Sequence, residues 1–328
     1  MTLTQLRYLV AIADSGLNIT LAADRVHATQ PGLSKQLKQL EDELGFQLFV
    51  RKGRSLESVA PAGAKVIEHA RRILAEAANI RSYAANERGE HAGRLLLATT
   101  HTQARYVLPP VIAAIKREFP QVSVDLQAAA DAEVLQALAQ DGADLALISS
   151  AGPVPPGGLA VPLYRWRRVL LVPNAHPLVA PGRAPTLAEL ARHPLISYES
   201  STRADSSLQR AFASAGVEPQ VAMTARDANL IKTYVRAGLG AGLLAEMALG
   251  HREDADLRVV DAPHELPECI TWAVIPRGRV LREYALALLH ALAPQIDRRD
   301  LRRVLEGNQE AQWPVPPTWA ELSQPITV

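Results

Sequence analysis

Two groups of polar residues in this sequence have the types and spacing to do chemistry. The first is Gln30, Ser34, Lys35 and Lys38, preceded by Thr29 and Pro31. Around them Leu33, Leu37, Leu40 and Leu44 recur as one apolar stripe, which marks a helix with a single buried side. The amide, hydroxyl and ammonium groups lie off that stripe near the helix start, and Glu41, Asp42 and Glu43 follow only later. Such a helix attracts nucleic acid at its N-terminal end and repels phosphate at its far end. A helix that enters a major groove by its first turns needs that polarity. The second group is Thr99-Thr100-His101-Thr102-Gln103, with Ser149-Ser150 and Ser200-Ser201-Thr202-Arg203. Thr100, Thr102 and Gln103 open a helix after a strand, where hydroxyls, an amide and free helical N–H groups meet. That is an anion site built from dipoles. Its plainer reading is helix capping by Thr100 or Thr102.

The elements upstream must aim the first group. Leu21 to His27 (LAADRVH) reads as a short helix with Ala22, Ala23 and Val26 inside, capped by Asn18 or Thr20. His27-Ala28-Thr29 is a turn, and Thr29 caps the next helix. Pro31 fits a first helical turn, and Gly45 stops the helix. Short helix, tight turn and second helix form a helix-turn-helix, with an ordinary pair of packed helices as the alternative. Residues 2 to 13 supply a further helix. Residues 46 to 58 read as a small wing with the basic tip Arg51-Lys52-Gly53-Arg54, or else a solvated loop. Pro61 to about Asn86 is one long helix whose stripe, Val66, Ile67, Ala70, Ile73, Leu74, Ala77 and Ile80, needs a partner. Glu87 to Gly93 is charged and flexible, so the domain boundary is placed there.

The second group needs a sheet. Leu95 to Ala98, Val122 to Leu126 and Ala143 to Ile148 read as strands, alternating with helices at 104 to 119 and 134 to 139. Pro109-Pro110 must sit awkwardly in the first of these or kink it. Strands at 168 to 172, 195 to 198, 220 to 223 and 242 to 245 alternate with helices near 186 to 191, 206 to 215 and 227 to 237. A strand at 269 to 274 and a helix at 281 to 293 return to the first set. This is a mainly parallel α/β arrangement in two lobes joined by two crossings. Thr100, Thr102, Gln103 and Ser149 then converge beyond the carboxyl ends of the strands, facing Thr202 and Arg203 across a cleft.

Composition constrains partners. Net charge is +1 over 328 residues. Residues 1 to 60 hold 7 Lys and Arg against 6 Asp and Glu, again +1. Bulk basicity therefore does not draw the chain to DNA, and local placement of Lys35, Lys38, Arg51, Lys52 and Arg54 must. The one cysteine, Cys269, excludes an internal disulfide and reads as a buried thiol. No paired metal-ligand spacing, secretion signal or membrane-length apolar run is present. A cytoplasmic protein without cofactor is expected.

The N-terminal residues resemble the LysR-type transcriptional regulators. The likeness is carried by Leu6, Leu9, Ala22-Ala23, Thr29 to Ser34, Leu40-Glu41, Leu44-Gly45, Leu48-Phe49, Arg51 and Pro61-Ala62-Gly63. Ala98 to Tyr106, Trp166 and Asp227 to Gly242 are similar to the cysteine-regulon activators within that group. The resemblance implies an α+β multidomain fold. Residues 1–60 would be a winged helix-turn-helix, and 61–92 a linker helix and hinge that pairs in a dimer. Residues 93–295 would be a bilobed effector domain like type II periplasmic-binding proteins, with subdomain I at about 93–163 and 268–295 and subdomain II at about 164–267. Residues 296–328 would be a tail, partly ordered at best.

The resemblance further implies a non-enzymatic regulator of sulfur assimilation acting as a homotetramer on double-stranded operator DNA, with RNA polymerase as partner if it activates. A regulator of sulfonate or sulfate-ester use is the alternative. The effector would be of the sulfate, thiosulfate, acetylserine or adenosine phosphosulfate class. By motif, Thr100, Thr102, Gln103 and Trp166 carry over, and Ser149 replaces a threonine. Arg203 stands in register where the family has a hydroxyl that Thr202 matches only after a one-residue shift. A cytosolic enzyme with His101 as base lacks an orienting carboxylate or nucleophile motif.

Overall fold

The computed structural model describes residues 1–53, 55–179, 183–250, 253–307 and 310–323. The chain divides into two compact units, Met1–Glu90 and His91–Val328. Arg54, expected at the wing tip, lies outside the described residues.

In the first unit α1 (Leu3–Asp14) starts at a capping box between Thr2 and Gln5. Asn18 caps α2 (Ile19–Arg25), and Thr29 caps α3 (Gln30–Leu44) by accepting from Gly32 N at 3.2 Å. Gly45 ends α3 in the left-handed region at φ 78°. The turn between α2 and α3 passes through His27 at φ 53°, a left-handed position held by a residue with a Cβ. Leu6, Leu9, Ile12, Ala22, Ala23, Leu33, Leu37 and Leu40 form one core, closed by Leu48 and Phe49. A two-stranded antiparallel wing follows, β1 (Phe49–Lys52) and β2 (Ser55–Val59), with Phe49 opposite Val59.

The long helix α4 (Pro61–Glu87) does not present one stripe to one partner, as its periodicity suggests. Ile67 and Ala70 join the winged core, and Arg71 pairs with Asp14 of α1. Farther along, Ile73, Ile80 and Tyr83 are 40%, 69% and 60% exposed. One helix thus serves two surfaces because its stripe outruns the small domain.

The second unit holds two five-stranded sheets. The first contains β3 (Gly93–Thr99), β4 (Val122–Ala128), β5 (Leu145–Ser150), β6 (Leu159–Trp166) and, from the end of the unit, β12 (Cys269–Ile275), in the order β4-β3-β5-β12-β6. The second contains β7 (Arg168–Pro173), β8 (Leu195–Tyr198), β9 (Val221–Ala225), β10 (Ala241–Ala245) and β11 (Leu257–Asp261), in the order β11-β7-β10-β8-β9. Each sheet is mixed rather than mainly parallel. The antiparallel pairs are β12 with β5 and β6, and β7 with β10 and β11. Strands β6 and β11 were not expected from the sequence. Pro162 masks the first, and it is tolerated because β6 is an edge strand with a register shift between Thr271 and Trp272 of β12, opposite this proline.

Helices α5 (Leu108–Glu118), α6 (Asp131–Ala139), α7 (Leu187–Leu190), α8 (Ser207–Ser214), α9 (Ala228–Arg236) and α10 (Glu283–Leu292) pack on these sheets. The expected single helix over 104 to 119 is instead a π-helical turn, Gln103–Val107, followed by α5. Pro109 and Pro110 sit in the first turn of α5, where missing N–H groups cost nothing. The tail also departs from expectation. It forms α11 (Arg298–Leu305), a strap along β6, and α12 (Trp319–Ser323). Trp313, Trp319 and Leu322 pack on the core of the first sheet.

A Cβ on Gly63, where α4 begins, would lie 2.0 Å from the Leu48 carbonyl oxygen. Gly63→Ala should therefore destabilise the winged domain by roughly 1–3 kcal/mol or more, the cost of forced overpacking. Thermal melts of wild type and variant measure this.

Candidate functional site

Four of the residues expected to read DNA, Gln30, Pro31, Lys35 and Lys38, are exposed on the outer side of α3, with Ser34 half-buried among them. The first turn of α3 carries no acidic residue. Thr29 spends its hydroxyl oxygen on the cap. Lys52 is exposed and lies 3.9 Å from Glu57, a loose surface pair. Arg51, expected to contact DNA, also makes an ion pair within the domain. Its Nη2 donates to Glu41 Oε2 at 2.9 Å, and the Glu41 side chain is 2% exposed. Glu41 Oε1 accepts from Leu48 N at 2.9 Å. Arg51 thus balances a buried carboxylate that ties α3 to the wing.

The second site is a cavity of about 440 Å³ in the second unit, lined from both sheets. Thr100, Thr102 and Gln103 reach it from the end of β3 and the π-helical turn, and Ser149 from the end of β5. Trp166 enters at the first crossing. The floor is one hydrogen-bond network. Tyr164 donates its hydroxyl hydrogen to Gln103 Oε1. Gln103 Nε2 therefore faces Ser149 Oγ at 3.5 Å and Thr271 Oγ1 at 3.3 Å. Trp166 Nε1 donates into the same two oxygens, at 3.3 Å from Ser149 and 3.1 Å from Thr271.

The hydrogens can be counted. The Ser149 and Thr271 hydroxyls lie 3.0 Å apart and share one hydrogen. Both oxygens already accept from N–H donors, so one hydroxyl hydrogen is left over. Thr271 is 0% exposed, whereas Ser149 lines the cavity. With Thr271 donating to Ser149, the spare hydrogen is that of Ser149 and faces the cavity, where an acceptor would take it.

The electrostatics agree. Arg168, Arg203, Arg210 and Arg226 line the cavity against Asp131, Glu199 and Asp205. Arg203, expected among the effector-binding residues, is held bidentately by Asp205 at 3.0 and 2.8 Å, and Arg226 is paired with Glu199. Arg168 instead donates to neutral oxygens, Ser207 Oγ at 2.7 Å and the Pro267 carbonyl at 3.1 Å. Arg210 donates to the Ala151 carbonyl at 3.5 Å. Burial raises the Asp131 carboxyl above its ordinary range, with Arg203 opposing. Thr202 is not among the lining residues, and its hydroxyl donates to the Glu199 carbonyl at 2.8 Å to close a short turn. Cys269 also lines the cavity, and burial pushes its thiol up, which keeps it protonated.

The lobes touch beside the cavity. Thr102 Oγ1 donates to the Tyr198 hydroxyl at 3.4 Å, and Tyr198 also accepts from Ala245 N. Tyr106, on the π-helical turn, lies with its hydroxyl 2.7 Å from the Asn229 side chain of α9. Arg168, Arg210, Asp131, Tyr198 and Thr271 were missed by sequence reasoning. Thr271 left a signal, a hydroxyl in the apolar run of β12. The others sit at the ends of elements whose boundaries set where they point.

A family model described as "Bacterial regulatory helix-turn-helix protein, lysR family" matches residues 3–64, and one described as "LysR substrate binding domain" matches residues 88–297. The chain is 39% identical over 299 residues to the HTH-type transcriptional regulator CysB of Haemophilus influenzae, covering 91% of this chain and 92% of that protein. It is 35% identical to the regulator Cbl of Escherichia coli, over 94% of this chain and 98% of the other. It is also 35% identical to the regulator SsuR of Burkholderia cenocepacia, over 93% and 99%. The crystal structure of the cofactor-binding domain of the Cbl transcriptional regulator superposes with a TM-score of 0.60 at 34% identity, covering 66% of this chain and 94% of that one.

Arg51→Ala should lower stability by about 1–3 kcal/mol, because Glu41 stays buried with one oxygen unmatched. The cost is below that of a fully enclosed pair since Arg51 is 39% exposed. Lys35→Ala should leave the melt unchanged and flatten the salt dependence of DNA binding. A wild-type melt for Arg51→Ala would return this residue to a purely phosphate-binding role.

Proposed function

The chain belongs to the lysR family of bacterial helix-turn-helix transcriptional regulators, as a relative of CysB, Cbl and SsuR, and on that premise we propose that it regulates sulfur assimilation in response to a small oxyanion or acetylserine held in the cavity. The observation that carries the reading is the Ser149 hydroxyl at the cavity wall, which accepts from the Trp166 and Gln103 N–H groups beneath it and so keeps its own hydrogen for the cavity when Thr271 donates to it. It calls for an acceptor. The first N–H groups of the π-helical turn and the guanidinium groups of Arg168 and Arg210 favour a negative one. Sulfate, thiosulfate, adenosine phosphosulfate and the carboxylate of acetylserine all offer such oxygens. Arg203, neutralised by Asp205, adds little selectivity for the more highly charged among them. A regulator of sulfonate or sulfate-ester use would employ the same floor.

DNA reading falls to Gln30, Ser34 and Lys35, with Lys38 on the backbone. A half-site reader of this size needs a linked second copy. The exposed Ile73, Ile80 and Tyr83 of α4 provide an apolar face for it, and the effector domains would extend the dimer to a tetramer. An activator of this design also contacts RNA polymerase.

A thermal-shift screen with sulfate, thiosulfate, O-acetylserine, N-acetylserine and adenosine phosphosulfate tests the ligand class. At least one should raise the melting temperature, and Thr102→Ala should cut that affinity by about tenfold, the equivalent of 1.4 kcal/mol. No shift with any of the five sinks the reading. Ile80→Asp should lower the oligomeric state in sedimentation and abolish tight operator binding while the isolated melt persists. A monomeric wild type with tight operator binding would refute the assembly.

A further inference from the structure

The strap that follows α11 is tied to the first sheet at its edge. Trp313 Nε1 donates to the Ala160 carbonyl at 2.9 Å. Arg165 gives its backbone N–H to the Pro317 carbonyl at 2.7 Å and its side-chain Nε to the Pro316 carbonyl at 3.0 Å. Thr318 bridges Arg165 in the parallel sense, as a short added strand would. Thr318 and Glu321 then cap each other, with Glu321 accepting from Thr318 N at 2.7 Å, and this starts α12. The capping turn delivers Trp319 onto Tyr164, with ring centroids 5.4 Å apart. Tyr164 is 1% exposed and is the residue whose hydroxyl donates to Gln103.

The amide of Gln103 has two faces, and only one arrangement gives the cavity a donor. With Oε1 taken by Tyr164, Nε2 must face Ser149 and Thr271, and the spare hydroxyl hydrogen is released to the cavity. Without the Tyr164 hydroxyl the amide is free to turn over. Its oxygen then accepts a hydroxyl hydrogen from Ser149 or Thr271, and Ser149 becomes an acceptor that repels an anion. Burial raises the Tyr164 phenol far above its ordinary range, so it remains a donor throughout the physiological range.

We propose that Trp319 and Tyr164 are positioning residues for the ligand. The C-terminal strap holds Tyr164, Tyr164 fixes the Gln103 amide, and the fixed amide turns the Ser149 hydrogen toward the bound anion. This rests on the anion-binding reading of the cavity. The strap thus sets the hydrogen-bond polarity of a site that it does not touch.

The test is calorimetric titration of full-length wild type, Tyr164→Phe, Gln103→Ala, the double variant and Trp319→Ala with sulfate, thiosulfate and O-acetylserine. Tyr164→Phe deletes one oxygen and should weaken binding of the wild type's ligand roughly tenfold. The double variant should bind no more weakly than Gln103→Ala alone, because both changes act through one bond. A merely structural role for Tyr164 would give additive losses. Trp319→Ala should lose part of the same factor, and Trp319→Phe should restore most of it. If Trp319→Ala does not fold, Tyr164→Phe and its double variant decide the matter. Unchanged affinity in Tyr164→Phe, or additive losses in the double variant, overturns the positioning role and leaves the anion site standing. A wild type that binds none of these three, nor N-acetylserine or adenosine phosphosulfate in the same titration, overturns both.

Discussion

A side-chain amide at 1% exposure leaves its oxygen or its nitrogen unmatched only at a cost of about 1–3 kcal/mol. Gln103 is in that position, and much of the ligand-binding unit is arranged around its needs. The π-helical turn places it under the cavity rather than beside it. Strand β12 brings Thr271 beneath Ser149, and the first crossing brings the Trp166 indole over both. Strand β6 supplies Tyr164 for the carbonyl side. These partners come from chain positions far apart, so the network closes only when both ends of the first sheet are in place. A polar floor of this kind is worth its cost when every member is satisfied.

The reading helix is governed by the same principle with a charge. Glu41 is buried where α3 meets the wing, and it survives there because Leu48 N and Arg51 match its two oxygens. The consequence is that part of the basic wing serves architecture. Under the proposed reading, exposed groups on the first turns of α3 are left to meet DNA, which fits a domain whose net charge is only +1. Sequence-dependent contacts must then carry more of the discrimination than bulk attraction does.

What could be read from the sequence follows from how local each signal is. The helices of the first unit were legible because stripe, cap and stop lie within a few residues of one another, as at Thr29, Leu33 and Gly45. The turn at Thr100 to Gln103 was legible because hydroxyls and a helix start coincide. Strand β6 was hidden by Pro162, whose harmlessness depends on an edge position set by the whole sheet. The prolines at 109 and 110 promised a kink and instead mark a helix start, since the π-turn before them absorbs the extra residue. Arg203 and Thr202 were sensible candidates by type. Asp205 and the Glu199 carbonyl claim them, and neither contact has a pattern in sequence. The tail was expected to be partly ordered at best, yet its prolines suit a strap in which Pro316 and Pro317 take part through their carbonyls.

The strap also bears on how the molecule is made. Strand β6 is an edge of its sheet, and unprotected edges recruit other chains. Trp313, which covers the Ala160 carbonyl, is synthesised 153 residues after it. The edge exists once β12, the neighbour of β6, has been made to Ile275, and at roughly 5–20 residues per second of translation the stretch from there to Trp313 leaves it bare for about 2–8 s. During that interval β6 can pair with a neighbouring nascent chain, and the Pro162 interruption limits how far such pairing runs. The strap closes the window, so the rate at which it is made sets how long the β6 edge is exposed.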